Sequence, residues 1–377
     1  MTARLLGVIA GLFALRLAAY ALVEGLHPAL AEDYCVWDCV WYTNLAHDGY
    51  AATPPATPFH HGQANWAFFP LFPLLLRGLA SVPGISYAAA GLVIANLCFV
   101  AFVVLAVNYL PHRRPNTTTD RAALAVFLLA FPYSVYFSLP YTESLFALLT
   151  LAALYAASTQ RLSATAGLAA LASATRVPGA LLAPLVAVRA LAPAVAALRG
   201  GDHRRALACT ADALLPIAIA PLGLFVFMAY LYAHMGDALA FAHVQVAWGR
   251  HTVFPLTPLV THLLDHDWDL AFDKSVHSTA LMEYAALAGF AVCVRLGVLR
   301  LWPECWLLTA TLLLALSAGL VSMQRFVFAN PVFLLFLFDW LWQSALFRLA
   351  FLPLMAGCAA LQLYFVHCWL GHYAFLN

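Results

Sequence analysis

Residues 85–110 read ISYAAAGLVIANLCFVAFVVLAVNYL, 26 positions without one Asp, Glu, Lys or Arg. About 20 apolar residues in a helix suffice to cross the ~30 Å hydrocarbon layer of a bilayer, and comparable runs recur along the chain, separated by short polar breaks. Composition supports the same reading. With 64% hydrophobic and 9% charged residues among 377, and a mean hydropathy of +0.86, the apolar surface is too large to hide in one water-soluble core. The expected fold class is an all-α polytopic membrane protein. A net charge of +1 carries no signature of a nucleic-acid partner, and none is expected.

Where the positive charges fall predicts the topology. The first run, residues 5–23, follows Arg4 and is interrupted by Arg16 and Glu24. The ALAE at 29–32 raises the possibility of a cleaved signal peptide, but the run reads better as a retained first span. A polar stretch follows, and then NWAFFPLFPLLLRGLA at 65–80, which is short, has Pro70 and Pro73 near its start and contains Arg77. If this segment lies in the interface, the basic PHRRPNTTTDR at 111–121 faces the cytoplasm, where Lys and Arg concentrate. Further spans are then expected near 85–110, 121–138, 141–157, 164–176, 178–198, 207–232, 278–297, 304–322, 326–344 and 349–371. That makes about eleven in a single domain covering 1–377. Arg113, Arg114, Arg121, Arg161, Arg199, Arg204, Arg205, Arg300 and Arg348 all fall on or near the cytoplasmic side. Two large segments, 27–82 and 233–277, face the other way. The eight cysteines are scattered singly. Cys35 and Cys39 could bridge in an oxidising compartment, but neighbouring helical turns give poor disulfide geometry, so no bridge is expected.

The first outer segment contains VWDCVWYTNLAHDGY, residues 36–50. Trp37, Val40, Trp41 and Leu45 recur at helical spacing, which describes a short helix with an aromatic side lying along the membrane surface. Asp38 is either a solvated carboxylate on an interfacial anchor or a functional base, since a carboxylate partly desolvated by neighbouring indoles becomes a stronger base.

Three blocks in order, WDCVWYTNLAHDGY, NWAFFPLFPLL and FPYSVYFSLPYTESLFAL, resemble the signature blocks of the PIG-V family of GPI mannosyltransferases and its bacterial homologues. ATRVPG (174–179) and QRFVFANP (324–331) are weaker echoes, and the chain's length is closer to the compact bacterial members. The resemblance implies a GT-C fold, with juxtamembrane helices and a catalytic acid in the first extracytoplasmic loop. It also implies an inverting transfer of a sugar, typically mannose, from a polyprenyl-phosphate donor to a lipid or glycan acceptor. Asp38 then becomes the catalytic base, while Trp37, Trp41 and Tyr42 seat the helix where a lipid-borne sugar arrives. The implied location is a bacterial inner membrane, with the site on the periplasmic face.

Other residues are expected to bind substrate. Asp48, before Gly49, is either a turn carboxylate or a contact to a sugar hydroxyl. Glu143 suits the first turn of a helix, where the dipole favours an acid, and with Tyr141 it is also a candidate for the active site. Arg176 and Arg325, beside Gln324, fall near the outer face against the orientation bias; either a donor phosphate or a salt bridge to Asp38 or Glu143 explains them. His60 and His61 are less specific, and no spaced partners support a zinc site. The run LLDHDWDLAFDKSVH (263–277) has a metal-like pattern but reads as a solvated loop. No cofactor is expected; a divalent metal is possible but not expected. The alternative class is a lipid or solute transporter or flippase, for which internal repeats are the usual sign and none is evident.

Overall fold

The computed structural model describes residues 3–26, 31–53, 62–115, 120–265 and 278–376. Among them every regular element is a helix. In chain order these are α1 (Ala3–Leu26), α2 (Asp38–Asp48), α3 (Leu71–Ala80), α4 (Tyr87–Arg113), α5 (Arg121–Ala130) and α6 (Glu143–Ser158). They continue with α7 (Leu162–Ser173), α8 (Ala183–Arg199), α9 (His203–Ile219), α10 (Leu222–Met235), α11 (Ala240–His243) and α12 (Thr257–Asp265). The last are α13 (Thr279–Val298), α14 (Trp302–Leu316), α15 (Met323–Phe328), α16 (Pro331–Trp342), α17 (Ala345–Leu349) and α18 (Phe351–Leu370).

Among the described residues five helical segments are long and apolar enough to cross a bilayer, and two bent pairs, each counted as one span, bring the number to seven. The remaining expected spans correspond to apolar helices of 10–17 residues, which at 1.5 Å per residue rise only ~15–25 Å each. The expected continuous span at 121–138 is instead α5 followed by a 3-10 turn at Pro132–Ser138, bent by 80°. Pro132 cannot donate the hydrogen bond that would continue the helix. The span expected at 207–232 is α9 and α10, bent by 55° next to Pro221. The one expected at 326–344 divides at Asn330, whose side chain caps α16 by accepting from the amides of Val332 and Phe333. α3 has ten residues, a rise of ~15 Å, and cannot cross alone.

Two polar groupings define the ends of the bundle. At one end, at the C-terminus of α4, Arg113 is paired with Glu304 at the start of α14, and Arg114 lies 3.4 Å from Asp339 of α16. At the other end lie the N-termini of α4, α6 and α13 and the C-termini of α1, α7, α14 and α18, together with α2, α3 and α15. Trp369 of α18 makes edge contacts there with Trp37 and Tyr141. Arg16, which interrupts the first apolar run, is buried inside the bundle and donates to Gln362 Oε1 (3.1 Å), the Ser134 carbonyl (2.8 Å) and Ser138 Oγ. A charge so satisfied does not disqualify α1 as a span.

Small residues permit the closest approaches. A Cβ on Gly223 of α10 would stand 2.1 Å from the Ala170 carbonyl oxygen of α7, and one on Gly179 would stand 2.2 Å from the Ala172 carbonyl. These contacts hold the end of α7, and the Arg176 that follows it, against neighbouring backbone.

Candidate active site

Asp38 is the first residue of α2, and its position is fixed from three directions. Trp37 before it has a positive φ of 50° with ψ -116°, so the chain turns sharply into the helix. Cys35 and Cys39 form a disulfide across this turn, with their Cα atoms 5.0 Å apart. The expectation against a bridge assumed that both cysteines occupy one helix. Cys35 in fact precedes the turn, which folds it back onto Cys39. The Tyr141 hydroxyl then ties down the backbone, accepting from the Asp38 amide and donating to the Val36 carbonyl, both at 3.1 Å.

The indoles on either side of Asp38 pack against other rings. Trp37 sets its edge on Trp369 at 4.6 Å, while Trp41 stacks on Phe68 at 5.7 Å. The partner of the carboxylate is a guanidinium: Asp38 Oδ2 accepts from Arg325 Nη1 at 2.8 Å. Arg325 is also 3.4 Å, through Nε, from Glu143 Oε1, which accepts from Arg176 Nη1 at 2.7 Å. The result is a chain of alternating charges: Asp38, Arg325, Glu143, Arg176. The two inner side chains are nearly solvent-free, at 6% and 3% exposure, whereas Asp38 retains 27% and Arg176 16%. Burial of that kind is tolerated only because each charge faces an opposite one. Aromatic faces complete the shell, with Arg325 5.4 Å over Tyr141 and Arg176 5.2 Å over Phe326.

The sequence explains this convergence locally. Glu143 opens α6, where an acid meets the positive end of the helix dipole. Arg176 lies in extended backbone between the end of α7 and the 3-10 helix Val177–Leu182, whose second residue, Pro178, is tolerated in a first turn where no amide partner is needed. Arg325 is carried by the short α15. A cleft beside the ion pairs is lined by Glu143, Phe146, Arg176, Thr311, Arg325 and Asn330, among others. Glu143 Oε2 is buried there without a hydrogen-bond partner, so a ligand hydroxyl entering the cleft would find an unused acceptor.

Arg250 was not singled out from the sequence. It follows a 3-10 turn, Val244–Trp248, and Gly249, in the segment 233–277, and Trp248 makes an edge contact with Trp41 at 5.7 Å, one turn along α2 from Asp38. Burial, opposed by the charge of Asp38 and reinforced by those of Arg325 and Arg176, lowers the pKa of its guanidinium. The available signal was the one applied to Arg176 and Arg325, a cation on the outer face against the orientation bias.

The other candidates are placed as follows. Tyr42 is buried beside the ion pairs, its hydroxyl 3.4 Å from Thr142 Oγ1. Burial first, and the Asp38 charge second, push its phenol well above the usual range, so it stays neutral. Gln324 is fully buried and donates to the Phe375 carbonyl at 3.0 Å, which anchors the C-terminal segment. Asp48 is exposed and pairs with its neighbour His47, so the structure does not bring it into the cluster. Gly49, at φ 82°, ends α2 there, which fits the turn-carboxylate reading. His60, His61 and residues 266–277 of the metal-like run lie outside the described residues; Asp265 is the last residue of α12.

A polytopic helical membrane protein with a charged cleft at one end of its bundle is the class that fold and site define. The sequence matches the model of the family described as Mannosyltransferase (PIG-V) over residues 9–321, and the chain belongs to that family. It is accordingly an integral membrane mannosyltransferase, a glycosyltransferase with a sugar donor and an acceptor. The matched segment contains Asp38, Glu143, Arg176 and Arg250 and stops just short of Arg325. No curated protein matches the chain.

Proposed function

We propose that this mannosyltransferase has a GT-C architecture and transfers mannose, with inversion, from a polyprenyl-phosphate donor to a hydroxyl of an extracytoplasmic lipid or glycan, using Asp38 as base. The observation that carries the reading is the charge chain Asp38, Arg325, Glu143, Arg176 at one end of the bundle. Its most exposed carboxylate belongs to Asp38, and only Oδ2 of that carboxylate is hydrogen-bonded among the described residues.

The chemistry requires few groups. Attack by the acceptor oxygen on the anomeric carbon breaks the bond to the phosphate on the opposite face, and the electron pair leaves with the polyprenyl phosphate. As the sugar becomes oxocarbenium-like, the attacking hydroxyl grows acidic, so a carboxylate held by Arg325 is strong enough to take its proton. The alternation of charge fixes that carboxylate in place before the substrate arrives, which is where an enzyme gains rate from orientation. In this reading Glu143 Oε2 accepts a hydroxyl of the sugar, and Tyr141 holds the backbone of Asp38. Membership of a mannosyltransferase family favours transfer over the transporter alternative.

The test is transfer by purified protein from labelled polyprenyl-phosphate mannose to candidate lipid acceptors. Asp38→Asn is expected to lower kcat by at least about a thousandfold, the scale of losing both a general base and its alignment, with thermal stability in detergent retained. Undiminished transfer by a folded Asp38→Asn protein would remove Asp38 from the mechanism. NMR of the product reports the anomeric configuration, and retention would overturn the single-displacement scheme.

A further inference from the structure

We infer that Arg250 is the residue that receives the phosphate of the lipid-linked donor. This rests on the polyprenyl-phosphate reading above and adds to it the group that meets the leaving phosphate.

Two arginines line the cleft, Arg176 and Arg325, and both are already committed. Arg176 is bonded to Glu143, and Arg325 to Asp38 with Glu143 in contact. Arg250 has only a neutral partner, Gln245 Oε1 at 3.2 Å, and among the described residues no carboxylate lies within ion-pair distance of it. The position of Arg250 follows from its flanks. On one side Trp248 meets Trp41 at 5.7 Å and Phe68 at 6.2 Å, and the Ala247 carbonyl accepts from Gln63 Nε2 at 3.5 Å. On the other side the Val253 amide donates to the Ser317 carbonyl, directly after α14, at 2.9 Å. The segment around Arg250 therefore bridges from α2, which carries Asp38, to the end of α14, which contributes Thr311 to the cleft. The fields of Asp38, Arg325 and Arg176 all reach its guanidinium.

Charge balance identifies the missing partner. Asp38 and Glu143 cancel Arg325 and Arg176, which leaves the single positive charge of Arg250. A sugar phosphodiester carries one negative charge, so its arrival neutralises the site. When the anomeric C–O bond breaks, that oxygen gains a further share of charge on the polyprenyl phosphate, and a planar guanidinium can meet two phosphate oxygens at once. Arg176 and Arg325 then hold the carboxylates, and the phosphate falls to the second outer segment.

The probe is a short-chain polyprenyl phosphate without sugar, titrated against purified protein in nanodiscs and followed by intrinsic tryptophan fluorescence. Donor KM is measured in the transfer assay alongside. Arg250→Gln is expected to weaken polyprenyl-phosphate binding by about tenfold or more, as befits the loss of charge-assisted hydrogen bonds, and to raise the donor KM by a similar factor. Arg250→Lys, which keeps the charge but not the fork, should recover part of the binding and serves as the readout should the Gln variant fold poorly. Asp38→Asn should bind the probe at least as well as wild type while failing to transfer. Wild-type affinity in Arg250→Gln, or in Arg250→Lys an affinity no better than that of Arg250→Gln, overturns the assignment and leaves the transferase reading intact. A wild-type protein that transfers nothing from polyprenyl-phosphate mannose overturns the reading and this inference together.

Discussion

Arg325 contacts both carboxylates of the site, which makes it the residue whose loss leaves the most charge uncompensated. With it gone, Asp38 has no cation within bonding distance among the described residues, and Glu143 keeps only Arg176. Breaking a buried ion pair by removing one partner costs about 3–5 kcal/mol. Arg325→Met is therefore expected to lower stability by that amount and to abolish transfer, with thermal unfolding in detergent as the measurement. A loss below about 1 kcal/mol would mean that the carboxylates do not depend on it. The residue types at the site were legible: Asp38, Tyr141, Glu143, Arg176 and Arg325 stand out as polar groups in apolar surroundings. Their pairing was not, because Asp38 and Arg325 are separated by 287 positions and no local pattern joins them. Asp48 shows the converse. Its sequence context, His47 and Gly49, already described a turn carboxylate, and that is what the structure contains.

α2 carries Asp38 as its first residue, so a rigid helix start is what the proposed role of that carboxylate requires. The Cys35–Cys39 bridge closes a ring containing Val36, Trp37 and Asp38, and it holds Trp37 in a conformation that L-residues seldom adopt. Chain entropy for so short a ring gives about 2 kcal/mol of stabilisation. A Cys35→Ala, Cys39→Ala double variant should lose about that much, while kcat falls tenfold or more and donor KM changes little, since the freed turn no longer aims Asp38. Treatment of wild type with a reductant should reproduce the kinetic effect. An unchanged kcat in either experiment would show that Tyr141 alone suffices to orient the helix start. Spacing alone argued against this bridge, because i and i+4 suggested one continuous helix; the positive φ at Trp37 that makes it feasible has no signature in a tryptophan.

Among the described residues, arginine–carboxylate pairs gather at two ends of the bundle, with Arg16 buried between them on neutral partners. The ion pairs of Arg113 and Arg114 lie at one, and the candidate active site at the other. If the site faces the extracytoplasmic side, a cysteine at Ser81, in the turn after α3, should react with a membrane-impermeant maleimide in intact cells. One at Gln160, between α6 and α7, should react only after permeabilisation, in a background lacking the cysteines other than Cys35 and Cys39. Labelling of both positions from one side would overturn this topology. Hydrophobic runs, helix caps and the distribution of arginines are local or additive properties, so the sequence by itself determined that the chain is helical, crosses the membrane repeatedly and carries a candidate acid, Asp38, in the polar stretch after its first apolar run. The bends at Pro132 and near Pro221 needed the neighbours that set their angles. Only the tertiary structure decided which guanidinium meets which carboxylate and that Arg250 has none within ion-pair distance among the described residues. Pairing among residues hundreds of positions apart is settled by helix packing, and helix packing is fixed by the close approaches at Gly179 and Gly223, where any side chain would collide with backbone.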